Sequence, residues 1–144
     1  MTSEDAKRIL RSYRDACGRI NDKRERLATL RDLAMRSTSS TEATRTSGSG
    51  SRSRIEESMV SYIDLEAQIS DEIQRLKAER YKIQECINRM EDEREKRLLE
   101  LRYIDGRSWV RVCTRLEISD TWSKMIHRSA CEHFAQAYEE DEIT

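Results

Sequence analysis

Residues 55–94 read IEESMVSYIDLEAQISDEIQRLKAERYKIQECINRMEDER, and the spacing within this stretch decides the fold. Ile55, Met59, Tyr62, Glu66, Ile69, Ile73, Leu76, Arg80, Ile83, Ile87, Met90 and Arg94 follow one another at alternating steps of four and three, and most are apolar. Apolar residues at that period lie on one stripe of an α-helix, the heptad seam by which helices pair. Glu66, Arg80 and Arg94 put charge on the stripe. They read either as devices that fix register and partner or as the edge of a loosely packed pair.

Upstream, Thr2 or Ser3 caps a first helix, with Glu4 and Asp5 well placed in its electropositive first turn. Ile9, Tyr13, Ala16, Ile20, Leu27, Leu30 and Ala34 continue the helical spacing, broken at Lys23, and predict a helix over 1–36. Residues 37–53, STSSTEATRTSGSGSRS, offer one alanine as their only apolar anchor and predict a flexible linker. The helical stretches on either side are nearly equal, about 50 Å each at 1.5 Å per residue. A long linker lets them fold back, so the expectation is an antiparallel coiled-coil hairpin of helices 1–36 and 54–93.

Composition agrees with an all-α chain. It has no proline, four glycines, 38% charged and 6% aromatic residues, which leaves too few turn formers and β-formers for a β-rich fold. With 36% hydrophobic residues the core must be thin, a seam more than a globule. No apolar run approaches the roughly 20 residues that span a bilayer, and the N-terminus lacks the apolar centre of a secretory signal. Cys17, Cys86, Cys113 and Cys131 stand far apart without a Cys-x-x-Cys pair. That argues against a zinc ribbon or a disulfide framework and for a reducing, cytoplasmic setting.

After Arg94 the pattern changes. Helical residues run to Ile104 and stop at Asp105-Gly106, a usual place for glycine. Ser108 caps a short helix from Trp109 to about Leu116, Glu117-Ile118 makes a turn, and Ser119 caps a helix beginning Asp120-Thr121-Trp122. Two capped helices around a tight turn predict a helix-turn-helix over 94–139, followed by an acidic tail, 140–144. Val112, Cys113, Leu116, Ile118 and Ile126 are its expected packing residues, with Trp122. Residues just after the second cap enter the major groove in such modules, so Asp120, Thr121, Ser123, Lys124, His127 and Arg128 are the expected base readers. Arg107, Arg111 and Arg115 suit phosphates. The net charge of the chain is −1, yet residues 94–128 carry nine Lys/Arg against five acids. Such a basic patch permits nucleic-acid binding, and arginines on a solvated face of a plain bundle leave the same trace.

The run Leu98-Leu99-Glu100-Leu101-Arg102-Tyr103-Ile104-Asp105-Gly106-Arg107-Ser108-Trp109, continued by Val112-Cys113, Leu116, Ile118-Ser119 and Ala130, resembles region 4 of sigma-70-type factors. It is most similar to phage and prophage late-transcription regulators of the ArpU and RinA kind, which set a long helical region before such a module. The resemblance covers 94–138 at motif level and 1–93 only in layout. It departs from the pattern at Trp122, usually small and polar, at Ser123, usually aliphatic, at Arg111, often acidic, and at Glu117, often glycine. The resemblance implies a transcriptional regulator that binds double-stranded promoter DNA, touches RNA polymerase, and works in the cytoplasm of a bacterial host. Leu65 and Tyr81, apolar but off the main stripe of helix 54–93, call for a second packing partner and predict a homo-oligomer through the coiled coil.

Two other readings stay open. A small terminase subunit also joins a helix-turn-helix to a coiled coil, and a coiled-coil adaptor would use its last helices to bind protein. His127 and Cys131, four apart on one helical face, are two ligands and not a metal site. No phosphate-cradling glycine loop or nucleophile elbow is present, so neither an enzyme nor a cofactor is expected.

Overall fold

The computed structural model describes residues 1–41 and 48–143, and the side chains among them except those of 37–41, 48–52 and 143. Every regular element among the described residues is helical: α1 Ser3–Thr41, α2 Gly48–Arg89, α3 Glu93–Leu99, a π-helical segment Glu100–Ile104, α4 Trp109–Leu116 and α5 Asp120–Ile143. The all-α expectation holds at that level.

The boundaries differ from the sequence reading in three places. Helix extends into the expected linker from both sides, α1 to Thr41 and α2 from Gly48, while the rest of the linker, 42–47, lies outside the described residues. Serine and threonine are only mildly unfavourable in a helix already propagating, so the linker composition overstates the break. Next, α2 does not run to 93. It ends at Arg89, and Asp92 starts α3 as an N-cap, its carboxylate accepting from Arg94 N at 2.9 Å and Glu95 N at 3.1 Å. Finally the acidic tail is helical through Ile143, and Asp141 and Glu142 pair with Arg89 (2.8 Å) and Lys82 (3.8 Å).

The chain divides into two compact units. One comprises Gly18–Arg75, where Ile20 and Ile69 are buried and Lys23 of α1 pairs with Glu72 of α2. The other comprises Met1–Cys17 and Leu76–Thr144. Its core joins Leu10 and Tyr13 of α1, Ile83, Cys86 and Ile87 of α2, Leu98 and Leu99 of α3, and Phe134 of α5. The charged seam residues Glu66, Arg80 and Arg94 are all exposed.

Candidate nucleic-acid interface

Local chemistry fixes each corner of the segment from Glu100 to the start of α5. The π-helical segment closes with Asp105 N donating to Glu100 O at 2.8 Å and Arg107 N to Leu101 O at 3.0 Å. Gly106 between them has φ +69, which glycine adopts without a Cβ penalty. Ser108 Oγ then accepts from Arg111 N and starts α4. At the end of α4, Ile118 N donates to Cys113 O at 3.0 Å and Glu117 N to Thr114 O at 3.3 Å, the paired bonds of a Schellman motif. Glu117 takes the left-handed position at φ 56, where its Cβ is crowded. Ser119 Oγ accepts from Trp122 N at 3.1 Å and starts α5. Val112 and Ile126 are buried where the two helices meet, with Leu116 and Ile118 packed at the margin and Cys113 half-buried, as expected of them.

The expected base readers separate into two groups. Asp120, Thr121, Lys124 and Arg128 are exposed on α5, and Lys124 reaches back to Asp120 at 3.4 Å. Such an exposed pair is worth little and gives way readily. Ser123 and His127 belong elsewhere. Ser123 is 1% exposed and its hydroxyl donates to Asp120 O at 2.6 Å, so its polar atom is spent within the first turn of α5 and faces away from solvent. His127 is enclosed: its Nε2 lies 2.7 Å from the Tyr103 hydroxyl and 3.6 Å from Cys131 Sγ, with Trp109 edge-on at 5.0 Å. Burial, with Lys7, Arg11 and Arg102 nearby, lowers its pKa to about 4. Burial also pushes the Cys131 thiol up to about 11. The trio is therefore uncharged at neutral pH.

Trp122 reverses its expected role. It is 45% exposed, with the Arg94 guanidinium 4.6 Å above its ring. The helical wheel explains the exchange: Ser123, Ile126 and Ala130 turn inward at steps of three and four, which leaves Trp122 and Met125 outward.

Of the residues expected to meet phosphate, Arg111 and Arg115 are exposed on α4, and Arg107 is half-buried with its backbone carbonyl accepting from Arg102 Nη1 at 3.0 Å. Behind α5, Glu95 is buried and accepts from Ser129 Oγ at 2.6 Å and His133 Nδ1 at 2.7 Å, which ties α3 to α5. No group of three metal-ligating side chains occurs among the described residues, and none of their helices is long and apolar enough to cross a membrane.

A family model described as a protein of unknown function, DUF722, matches residues 18–139. The chain belongs to that family. No curated protein and no solved structure matches it.

Proposed function

We propose that this member of the DUF722 family is a sequence-specific DNA-binding transcriptional regulator of phage or prophage type. Its reader is a helix-turn-helix of α4 and α5, similar to region 4 of sigma factors. The supporting observation is the exposed first turns of α5, where Asp120, Thr121, Lys124 and Arg128 stand clear of the core beside a tight, doubly capped turn. A helix entering the major groove reads bases with such N-terminal residues. Arg111 and Arg115 on α4 anchor phosphates. Ser123 and His127 drop out of the reader, and Trp122 joins its edge.

The long α1 and α2 act as a coiled-coil hairpin that joins copies of the chain. Met59, Val60 and Ile63 are each more than half exposed on α2, an apolar surface suited to another helix. The assembled regulator works in the host cytoplasm and meets RNA polymerase at the promoter.

The test is footprinting on the DNA that flanks the protein's own gene, with and without polymerase. Protection over a short element supports the reading. Lys124→Ala or Arg128→Ala then relaxes base choice at one or two positions, by roughly 1–3 kcal/mol each. Arg111→Ala or Arg115→Ala weakens all sequences alike and flattens the salt dependence by about one unit each. If none of the four substitutions changes DNA affinity, the module does not read DNA and the adaptor reading replaces it.

A further inference from the structure

The unit formed by Met1–Cys17 and Leu76–Thr144 holds a cluster of arginines that the reading above does not use. Three guanidinium groups, those of Arg14, Arg102 and Arg107, each bury Nε without a hydrogen-bond partner. No carboxylate lies within ion-pair distance of these three, or of Arg11, among the described residues. Several other basic side chains of this unit are paired: Lys7 with Glu4, Arg8 with Asp5, Arg89 with Asp141. The cluster is also held in place. Arg102 lies 4.7 Å over the Trp109 ring and donates to Arg107 O, so its guanidinium is oriented without being neutralised.

Electrostatics point the same way. The Arg102 pKa is lowered, first by burial and then by the like charges of Arg14 and Arg11. Burying charge without an opposite partner is costly, and so is crowding cations together. An anion relieves both. Arginine presents its donors in a planar fork that matches the oxygens of a phosphate, and several arginines around one group are the usual recognition of it.

We propose that Arg11 and Arg14 of α1, with Arg102 of the π-helical segment, form a phosphate-binding site. The phosphate comes from the backbone of a bound duplex or from a free phosphate compound. In the first case the site extends the proposed DNA interface onto α1 and rests on that reading. In the second it stands without it. The two α1 arginines are the ones to change, because Arg102 also packs on Trp109.

The experiment compares the full-length chain with the double variant Arg11→Ala/Arg14→Ala in two arms. The first measures binding to a labelled duplex of random sequence by anisotropy across a chloride series. The second measures thermal unfolding with pyrophosphate against chloride at matched ionic strength. The expected result is that pyrophosphate raises the unfolding temperature of the wild type but not of the variant, and that the log–log salt slope for duplex falls by about two units. Without ligand the variant loses like-charge repulsion together with the packing of the Arg14 stem, so each protein is compared with its own unliganded unfolding temperature. If alanine disturbs α1, Arg11→Gln/Arg14→Gln replaces it, and the wild-type pyrophosphate arm needs no variant.

A wild type that binds no duplex but keeps a pyrophosphate effect absent from the variant sustains the site, with a free phosphate as ligand, and overturns the DNA reading. A wild type that binds duplex, with salt slope and pyrophosphate response unchanged in the variant, overturns the site and leaves the DNA reading standing. A wild type that responds to neither overturns both.

Discussion

The two units of this chain use one helical period and reach different depths of burial. Within Gly18–Arg75, Ile20 and Ile69 are the buried apolar residues among those described, and Met59, Val60 and Ile63 are more than half exposed. Within the other unit Leu10, Ile87, Leu98, Leu99, Val112 and Phe134 lose all contact with solvent. The heptad steps that place Ile69 and Ile73 also place Ile83 and Ile87. What differs is how many elements meet. In the first unit the stripe has one partner segment, and water remains on its flanks. In the second, α3, α4 and α5 cover it as well. Periodicity states which face of a helix seeks a partner, and the number of layers decides how dry that face becomes.

The strongest way to break this contrast is to empty a position in each unit. Phe134→Ala opens a cavity in a core that cannot collapse around it, and should cost about 3–5 kcal/mol. Ile69→Ala, whose surroundings are looser, should cost near the lower end of the range, about 2 kcal/mol. Urea unfolding followed by circular dichroism gives both values. Equal losses would show that the thin unit is packed as firmly as the dense one, and the contrast would be void.

A second, smaller effect separates the units by pH. Both histidines, His127 and His133, lie in the dense unit. His127 has its folded pKa depressed to about 4 by burial and by Lys7, Arg11 and Arg102. Its contribution is therefore fully present above the ordinary histidine value and is lost as pH falls through 4, on the order of 2 kcal/mol after allowance for partial exposure. His133 runs the other way. Its bond to Glu95 raises its pKa, so its support is present at acid pH and is lost as pH rises through the raised value. In the other unit Lys23 holds the Glu72 carboxyl below its usual range, so that support persists until pH falls below about 4.5. Chemical denaturation at pH 7.5, 5.5 and 4 should show the dense unit weakening first, and His127→Gln should flatten that loss. An unaltered profile in the variant would remove His127 as the cause.

The all-helical fold was legible because composition and period act locally. Ser108, Gly106 and Ser119 announced their helix ends, and each does there what its side chain or lack of one allows. The candidate site was legible only in part. Lys124 and Arg128 are exposed as the helical wheel requires, but Ser123 and Trp122 exchange the inward and outward positions assigned to them. A difference of one residue in register is 100° of rotation, and capped helix ends alone do not set that rotation. The Ile126–Ala130 step held the missing information, since it marks the inward face that Ser123 shares. The arginine cluster was not legible at all. Arg11 and Arg14 lie about ninety positions before Arg102, and only the folded unit brings their charges together. The break at Met90–Asp92 was hidden for another reason: the heptad continues through it to Arg94, while Asp92 caps a new helix.

The smallest effects come from single backbone positions, and they sharpen the comparison because each unit holds one. Glu117 sits at φ 56 in the dense unit, where the Schellman bonds of Cys113 and Thr114 hold it. A left-handed conformation costs an L-residue roughly 1–2 kcal/mol, part of which glycine returns as unfolded-state entropy. Glu117→Gly should therefore stabilise by about 1 kcal/mol. Gly18 begins the thin unit inside α1, and a Cβ built there meets nothing within 4 Å. Gly18→Ala should also gain about 1 kcal/mol, purely from helix propensity. The two gains arise differently. Glu117→Gly relieves strain in the native turn and should leave the helical signal unchanged. Gly18→Ala stiffens a long helix and should slow amide exchange on either side of residue 18. If Gly18→Ala destabilises instead, the surface around it is occupied in solution, and the thin unit has a partner at that point.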